Sequence, residues 1–232
     1  MHLTRRSFLA STLVAAAGAQ SALAALGQPP APEKPKADPK PAVRKADKPL
    51  KVLFLGGTVF LGPATVDRLL ARGHTVTLFN RGKSNPKLYP DLEKLTGNRA
   101  GDLKSLEAEV AKGRKWDVVI DTSAYVPKQM RASATALKDA VDHYIMIASV
   151  NVYKSEAEPN QDENAPTHEE WPDDAKVSNE NYGAMKRGCE VALSEVMPNR
   201  WASVRPALIV GPRDPSDRFS YWPLRARRGG DI

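Results

Sequence analysis

A single cysteine, Cys189, stands in a chain of 232 residues, so no intrachain disulfide can form, which suits a protein that folds in a reducing cytoplasm. There is no uninterrupted apolar run near the roughly 20 residues that a membrane span needs. Internal repeats are absent, and no metal site is expected. Excess charge of one sign is also lacking where it would matter. The net charge is +7, but residues 50–232 hold 26 basic against 24 acidic side chains, and the surplus lies upstream. The basic pI is therefore no footprint of nucleic-acid binding by the folded part.

What the first 24 residues do have is an address. Arg5 and Arg6 precede a short, weakly apolar stretch from Phe8 to Ala19, and Ala22-Leu23-Ala24 has the small-x-small form of a cleavage site. Thr4-Arg-Arg-Ser-Phe-Leu9 reads as a twin-arginine signal, a route for proteins exported already folded. The expectations are cleavage after Ala24, the twin-arginine export machinery as a partner, and a periplasmic or other extracytoplasmic location. Residues 25–49 repeat proline with lysine, alanine and aspartate and carry almost no large apolar side chain, the composition of a solvated, extended linker.

From Leu50 the pattern changes. Leu50–Gly57, His74–Asn80, Trp116–Ala124, His143–Val150 and Trp201–Val210 read as apolar strands. Helical stretches at 63–73, Met130–Val141 and Tyr182–Val196 separate several of them. Such alternation implies an α/β fold, a doubly wound parallel sheet of the Rossmann type with right-handed crossovers, over residues 50–232.

Chemistry enters at the turn after the first strand. In Gly56-Gly-Thr-Val-Phe-Leu-Gly62 the three glycine positions of a dinucleotide turn fall on Gly56, Val59 and Gly62. Glycine there permits a tight turn and lets backbone N–H groups approach a pyrophosphate at a helix N-terminus. Tyr182 and Lys186 are four apart on a helix and so share a face. A neighbouring cation favours the phenolate, and moving a tyrosine pKa from about 10 to near 7 needs ~4 kcal/mol, a load for the lysine together with a cofactor cation. Ser149 ends the strand His143–Ser149, where an open parallel sheet binds its ligands, although a serine can also simply cap a strand end.

Together these residues resemble the short-chain dehydrogenase/reductase superfamily, and within it the extended NAD-dependent epimerase/dehydratase branch. Leu53–Gly62 resembles its cofactor turn, Ile147–Tyr153 its serine strand end, Tyr182–Lys186 its Tyr-x-x-x-Lys pair, and Val204–Asp214 its Arg-Pro…Gly-Pro-x-Asp segment. Gln161–Glu170 is similar to the acidic loop ahead of the catalytic helix, and the form Gly-Gly-Thr-x-Phe-Leu-Gly is that of an atypical subgroup. The resemblance implies Tyr182 as general acid or base, Lys186 holding the nicotinamide ribose and lowering the Tyr182 pKa, and Ser149 bonded to the reacting oxygen. It implies that Gly56, Thr58, Phe60, Leu61 and Gly62 cradle the pyrophosphate and that Thr122 and Ser123 line the cofactor. The expected substrate is a small sugar-like hydroxyl or carbonyl compound, and the expected assembly a homodimer. Nucleic acid is not favoured, but the alternative is a non-catalytic member that binds a nucleotide or RNA, which the subgroup also resembles.

Two departures modify the expectation. The acidic residue that ends the second strand and reads an NAD ribose is replaced by Asn80, with Arg81 next, which shifts the expected cofactor from NAD toward NADP. In Gly97-Asn-Arg-Ala-Gly-Asp102, Asn98 and Asp102 are both candidates to meet the adenine. The resemblance further implies roughly another hundred residues beyond Ile232 for a last strand and a substrate lobe, so that lobe is expected to be largely missing here.

Overall fold

The computed structural model describes residues 42–155, 158–216 and 218–230; the expected signal segment and residues 25–41 lie outside the described residues. The last linker residues run beside the domain: the Ala46 N–H donates to the Arg72 carbonyl at 2.9 Å and the Leu50 N–H to His74 Nδ1 at 3.0 Å.

Lys51–Leu55 forms β1, Thr75–Asn80 β2, Glu93–Thr96 β3, Trp116–Asp121 β4, Val141–Ile147 β5 and Trp201–Val204 β6. All pairings are parallel, in the order β3-β2-β1-β4-β5-β6. Winding reverses between β1 and β4, so a crevice opens beyond their carboxyl ends, the usual ligand site of such sheets. The helices are α1 (Leu61–Arg72), α2 (Lys104–Ala111), α3 (Pro127–Leu137), α4 (Tyr182–Val196) and α5 (Tyr221–Arg228), with a 3-10 turn at Val150–Val152.

The apolar run of β1 is explained by burial on both faces. Alternate side chains of a strand point to opposite sides. Leu53 and Leu55 join one core cluster with Met130 and Leu137 of α3 and Leu193 of α4, whereas Phe54 joins a second with Val66 of α1 and Val76 and Leu78 of β2. A strand covered twice has no exposed face to make polar, so it reads as a continuous run.

The structure differs from the sequence expectation most at one helix and two strands. The third helix spans Pro127–Leu137 rather than Met130–Val141, because Pro127 suits a first turn and Val141 leaves to pair with Trp116 in the sheet. The last strand stops at Val204 rather than Val210. Pro206 has no N–H for a ladder, and the Arg205 side chain turns onto Glu190, with Nε at 2.8 Å from Oε1 and Nη2 at 2.8 Å from Oε2. The four residues of β3, Glu-Lys-Leu-Thr, are too short and too exposed to carry a periodic signal. Tyr182–Val196 is helical over the expected span.

Candidate functional site

At the carboxyl ends of β1, β2, β4 and β5 lies a cleft of about 1060 Å³. Its first wall is the turn between β1 and α1, where Gly56, Thr58, Phe60 and Leu61 all line the cleft. Gly56 has φ +109°, and a Cβ there would stand 2.7 Å from Thr122 Oγ1, so only glycine lets this turn lie against the end of β4. Gly62 does not line the cleft. A Cβ on it would fall 2.6 Å from the Gly57 carbonyl carbon, so it is the close-packing glycine between α1 and the turn rather than part of a phosphate cradle. Val59, at the middle glycine position, is 51% exposed at the cleft mouth, where a side chain meets no obstacle.

The second wall is the end of β2. Asn80 Nδ2 donates to the Gly56 carbonyl at 3.0 Å, and Asn80 Oδ1 accepts from the Gly82 N–H at 2.9 Å. Asn80 therefore ties the glycine turn to the next loop, and the exposed Arg81 and Lys83 line the cleft beside it. Of the two adenine candidates, Asn98 lines the cleft and Asp102 does not.

The floor comes from β4 and contains residues that the sequence reading passed over. Arg99 and Asp121 form a buried ion pair, with Arg99 Nη1 2.6 Å from Asp121 Oδ2. Arg99 Nη2 donates to Ser133 Oγ at 2.7 Å, the Tyr144 hydroxyl donates to Asp121 Oδ2 at 2.7 Å, and the Ser123 N–H donates to Asp121 Oδ1 at 2.8 Å. This network fixes the Thr122–Ser123 corner, and both residues line the cleft. Its signal in the sequence was an arginine inside a short glycine-rich loop and an aspartate ending an apolar strand, a combination that becomes a pair only through the topology.

The third wall brings the Ser, Tyr and Lys together. Ser149 follows β5 and caps the 3-10 turn, accepting from the Asn151 N–H at 3.2 Å and donating to Asn151 Oδ1 at 2.6 Å. The turn is pressed against the start of α4, for a Cβ on Gly183 would run into the Asn151 carbonyl oxygen. Glycine beside Tyr182 thus lets the helix dock where the tyrosine meets the serine. Lys186 is buried and donates to the Ile147 carbonyl at 2.8 Å. Tyr125, also missed, lies between them, its ring centroid 6.4 Å from that of Tyr182 and 4.4 Å from Lys186 Nζ.

The electrostatics correct one expectation. Tyr182 has its pKa raised, not lowered: burial and Tyr125 push it up, while hydrogen bonding with Ser149 and the charge of Arg218 oppose them. Lys186 does not depress it because its ammonium lies 5.9 Å from the Tyr182 ring centroid and is engaged by Ile147 and Tyr125. Burial also lowers the Lys186 pKa to about 8, against the opposing pull of Asp121.

A glycine turn at a helix N-terminus, a Ser/Tyr/Lys set at the end of the fifth strand and a 3-2-1-4-5-6 parallel sheet coincide with a family-wide pattern: the model of the NAD dependent epimerase/dehydratase family matches residues 52–232. The chain belongs to this family. Among solved structures of similar fold, the Bordetella bronchiseptica enzyme WbmG in complex with NAD and UDP superposes with a TM-score of 0.62 at 19% identity, covering 80% of this chain and 62% of that one. A dTDP-glucose 4,6-dehydratase from Bacillus anthracis in complex with NAD gives 0.58 at 15% identity, covering 79% and 63%. A curated relative, the chloroplast stem-loop binding protein of 41 kDa b from Arabidopsis thaliana, is 29% identical across 77% of this chain. The chain spans about half the length of that relative, 47%.

Proposed function

We propose that this family member is an oxidoreductase-type epimerase, dehydratase or reductase that binds a nicotinamide dinucleotide in the cleft and acts on a sugar-like hydroxyl or carbonyl compound. The observation that carries the reading is the convergence of Ser149, Tyr182 and Lys186 on the same cleft as the Gly56–Leu61 turn. The fit rests on the turn itself, which Gly56 lets lie against the end of β4 while Gly56, Thr58, Phe60 and Leu61 face the cleft. A bound nicotinamide supplies the hydride acceptor or donor.

The proton work falls to the chain. The raised pKa keeps the Tyr182 hydroxyl protonated, the form from which it would give a proton to a carbonyl oxygen. In the reverse direction it must first lose that proton, for which Lys186 has to turn its ammonium from Ile147 toward the phenol. Ser149 holds the reacting oxygen. Arg81 at the end of β2 offers a charge-assisted contact to a 2′-phosphate, and no acidic side chain occupies Asn80's place to repel one, so NADP is the proposed cofactor. Against this preference, the WbmG and dehydratase structures were both solved with NAD.

The second reading is an RNA-binding role, favoured by the name of the stem-loop binding relative. The near balance of charge over residues 50–232 weighs against it. Turnover of a panel of sugar-like carbonyl compounds with NADPH or NADH, beside salt-dependent retention of a stem-loop RNA, separates the two. Turnover lost in Tyr182→Phe supports the enzyme; RNA retention without turnover supports the binder. From Arg5, Arg6 and the Ala22–Ala24 site we further infer export after folding. Free nicotinamide nucleotides are cytoplasmic, so protein recovered from the periplasm should carry near-stoichiometric NAD(P), released by acid and weighed by mass spectrometry.

A further inference from the structure

We propose that Tyr125 is a positioning residue for Lys186, the face of its ring holding the lysine ammonium on the cleft floor between α4 and the loop after β4. Lys186 Nζ lies 4.4 Å from the Tyr125 ring centroid, closer than to the Tyr182 ring, and gives one hydrogen bond to the Ile147 carbonyl. An ammonium has three donors, and this side chain is only 2% exposed. The negative face of an aromatic ring is the contact that meets the rest of the charge. Tyr125 itself is 45% exposed, so core filling does not account for a large aromatic at this position. Its backbone is set by the neighbouring Val126 and Pro127, which begin α3.

Lys186 is faced by Asp121 from β4, by Arg99 from the loop after β3, by Cys189, Glu190 and Tyr182 of its own helix, and by Tyr125. Burial brings its pKa down to about 8, with Arg99 adding to the fall and Asp121, Cys189 and Glu190 resisting it. The ring of Tyr125 acts in the same sense as the acidic groups, favouring the charged amine.

The inference concerns the cleft's own side chains, and only its consequence for catalysis rests on the proposed function. Its test therefore uses no turnover. The full chain is labelled with ¹³C at the lysine ε-carbons, the Lys186 resonance is assigned by its loss in Lys186→Met, and its titration is followed by NMR in the wild type, Tyr125→Phe and Tyr125→Leu. The half-exposed position lets both substitutions fold, and an exposed lysine such as Lys154 serves as an internal reference. Tyr125→Phe should titrate with the wild type, since the ring is kept. Tyr125→Leu should lower the Lys186 midpoint by about half a unit to one unit. Equal midpoints in all three proteins, or a fall in Tyr125→Phe as large as in Tyr125→Leu, would overturn the assignment.

Discussion

The strands β1, β2 and β4 beside the cleft are packed into the core, whereas the segment from β6 onward carries its apolar side chains in solvent. On the first side, Leu53, Phe54, Leu55 and Leu78 are fully buried, and Asn80, Arg99 and Asp121 tie the loops together by side-chain hydrogen bonds. On the second, Val204, Leu208, Phe219 and Trp222 are 47, 62, 59 and 59% exposed. Pro206, Leu208 and Arg218 still reach the cleft. The dinucleotide side is thus specified by local packing within these residues. The residues from β6 onward that line the cleft have fewer side-chain ties among themselves, which is why the proposed cofactor can be argued more closely than the substrate.

The largest effect expected separates chemistry from binding at the border of the two sides. Tyr182→Phe should reduce turnover by about 10²–10⁴-fold while leaving dinucleotide affinity unchanged, as the ring still packs but no proton can move. Steady-state kinetics beside calorimetry reads both; turnover within a few-fold of wild type would remove Tyr182 from the mechanism.

Next in size is a break on the packed side. Arg99→Met leaves Asp121 charged and unpaired in the core, a change that typically costs about 3–5 kcal/mol. Urea unfolding should show that loss, and a change below about 1 kcal/mol would mean that water reaches Asp121. At the rim, Arg81→Ala should weaken NADP by roughly 1.5–3 kcal/mol and barely touch NAD. Equal losses for both would mean that Arg81 does not read a phosphate.

A pH effect sharpens the link between the sides. Glu190 joins α4 to β6 and the residue after it through Ser203 and Arg205, and also accepts from Arg187 of its own helix. Burial alone would raise its pKa, but those hydrogen bonds and the Arg205 charge outweigh it and hold the carboxylate below its ordinary range. A depressed folded-state pKa gives stability that is present above the unfolded value near 4.5 and is lost as pH falls through the folded one. Acid unfolding should therefore shift in Glu190→Gln, whose stability should depend less on pH below about 4.5. The same slope in both proteins would assign the acid sensitivity elsewhere. The smallest effect belongs to the exposed helix α5: Trp222→Ser should reduce binding of a hydrophobic dye and self-association, yet change stability by no more than about 0.5 kcal/mol.

Legibility in the sequence follows the same division. β1, α4 and the Gly56 turn were readable because buried strands are continuous apolar runs, Tyr182–Val196 keeps one helical pattern, and a glycine turn has a fixed spacing. The Arg99–Asp121 pair was not, since its partners stand 22 positions apart and meet only because the loop after β3 brings Arg99 to the end of β4, with β2 and β1 between the two strands in the sheet. Tyr125 was missed for a related reason: an aromatic one residue past an apolar strand end has no motif, and its role arises from Lys186 on a helix far along the chain. The pKa of Tyr182 was misjudged because helical spacing brings the lysine to the same face without saying where its ammonium points.

The central claim is that the cleft beside Gly56 and Arg81 is a nicotinamide dinucleotide site, and calorimetric titration of the protein with NAD and with NADP tests it most directly. The account predicts one dinucleotide bound per chain, NADP more tightly than NAD, with the difference erased in Arg81→Ala. A folded protein that binds neither dinucleotide would contradict it.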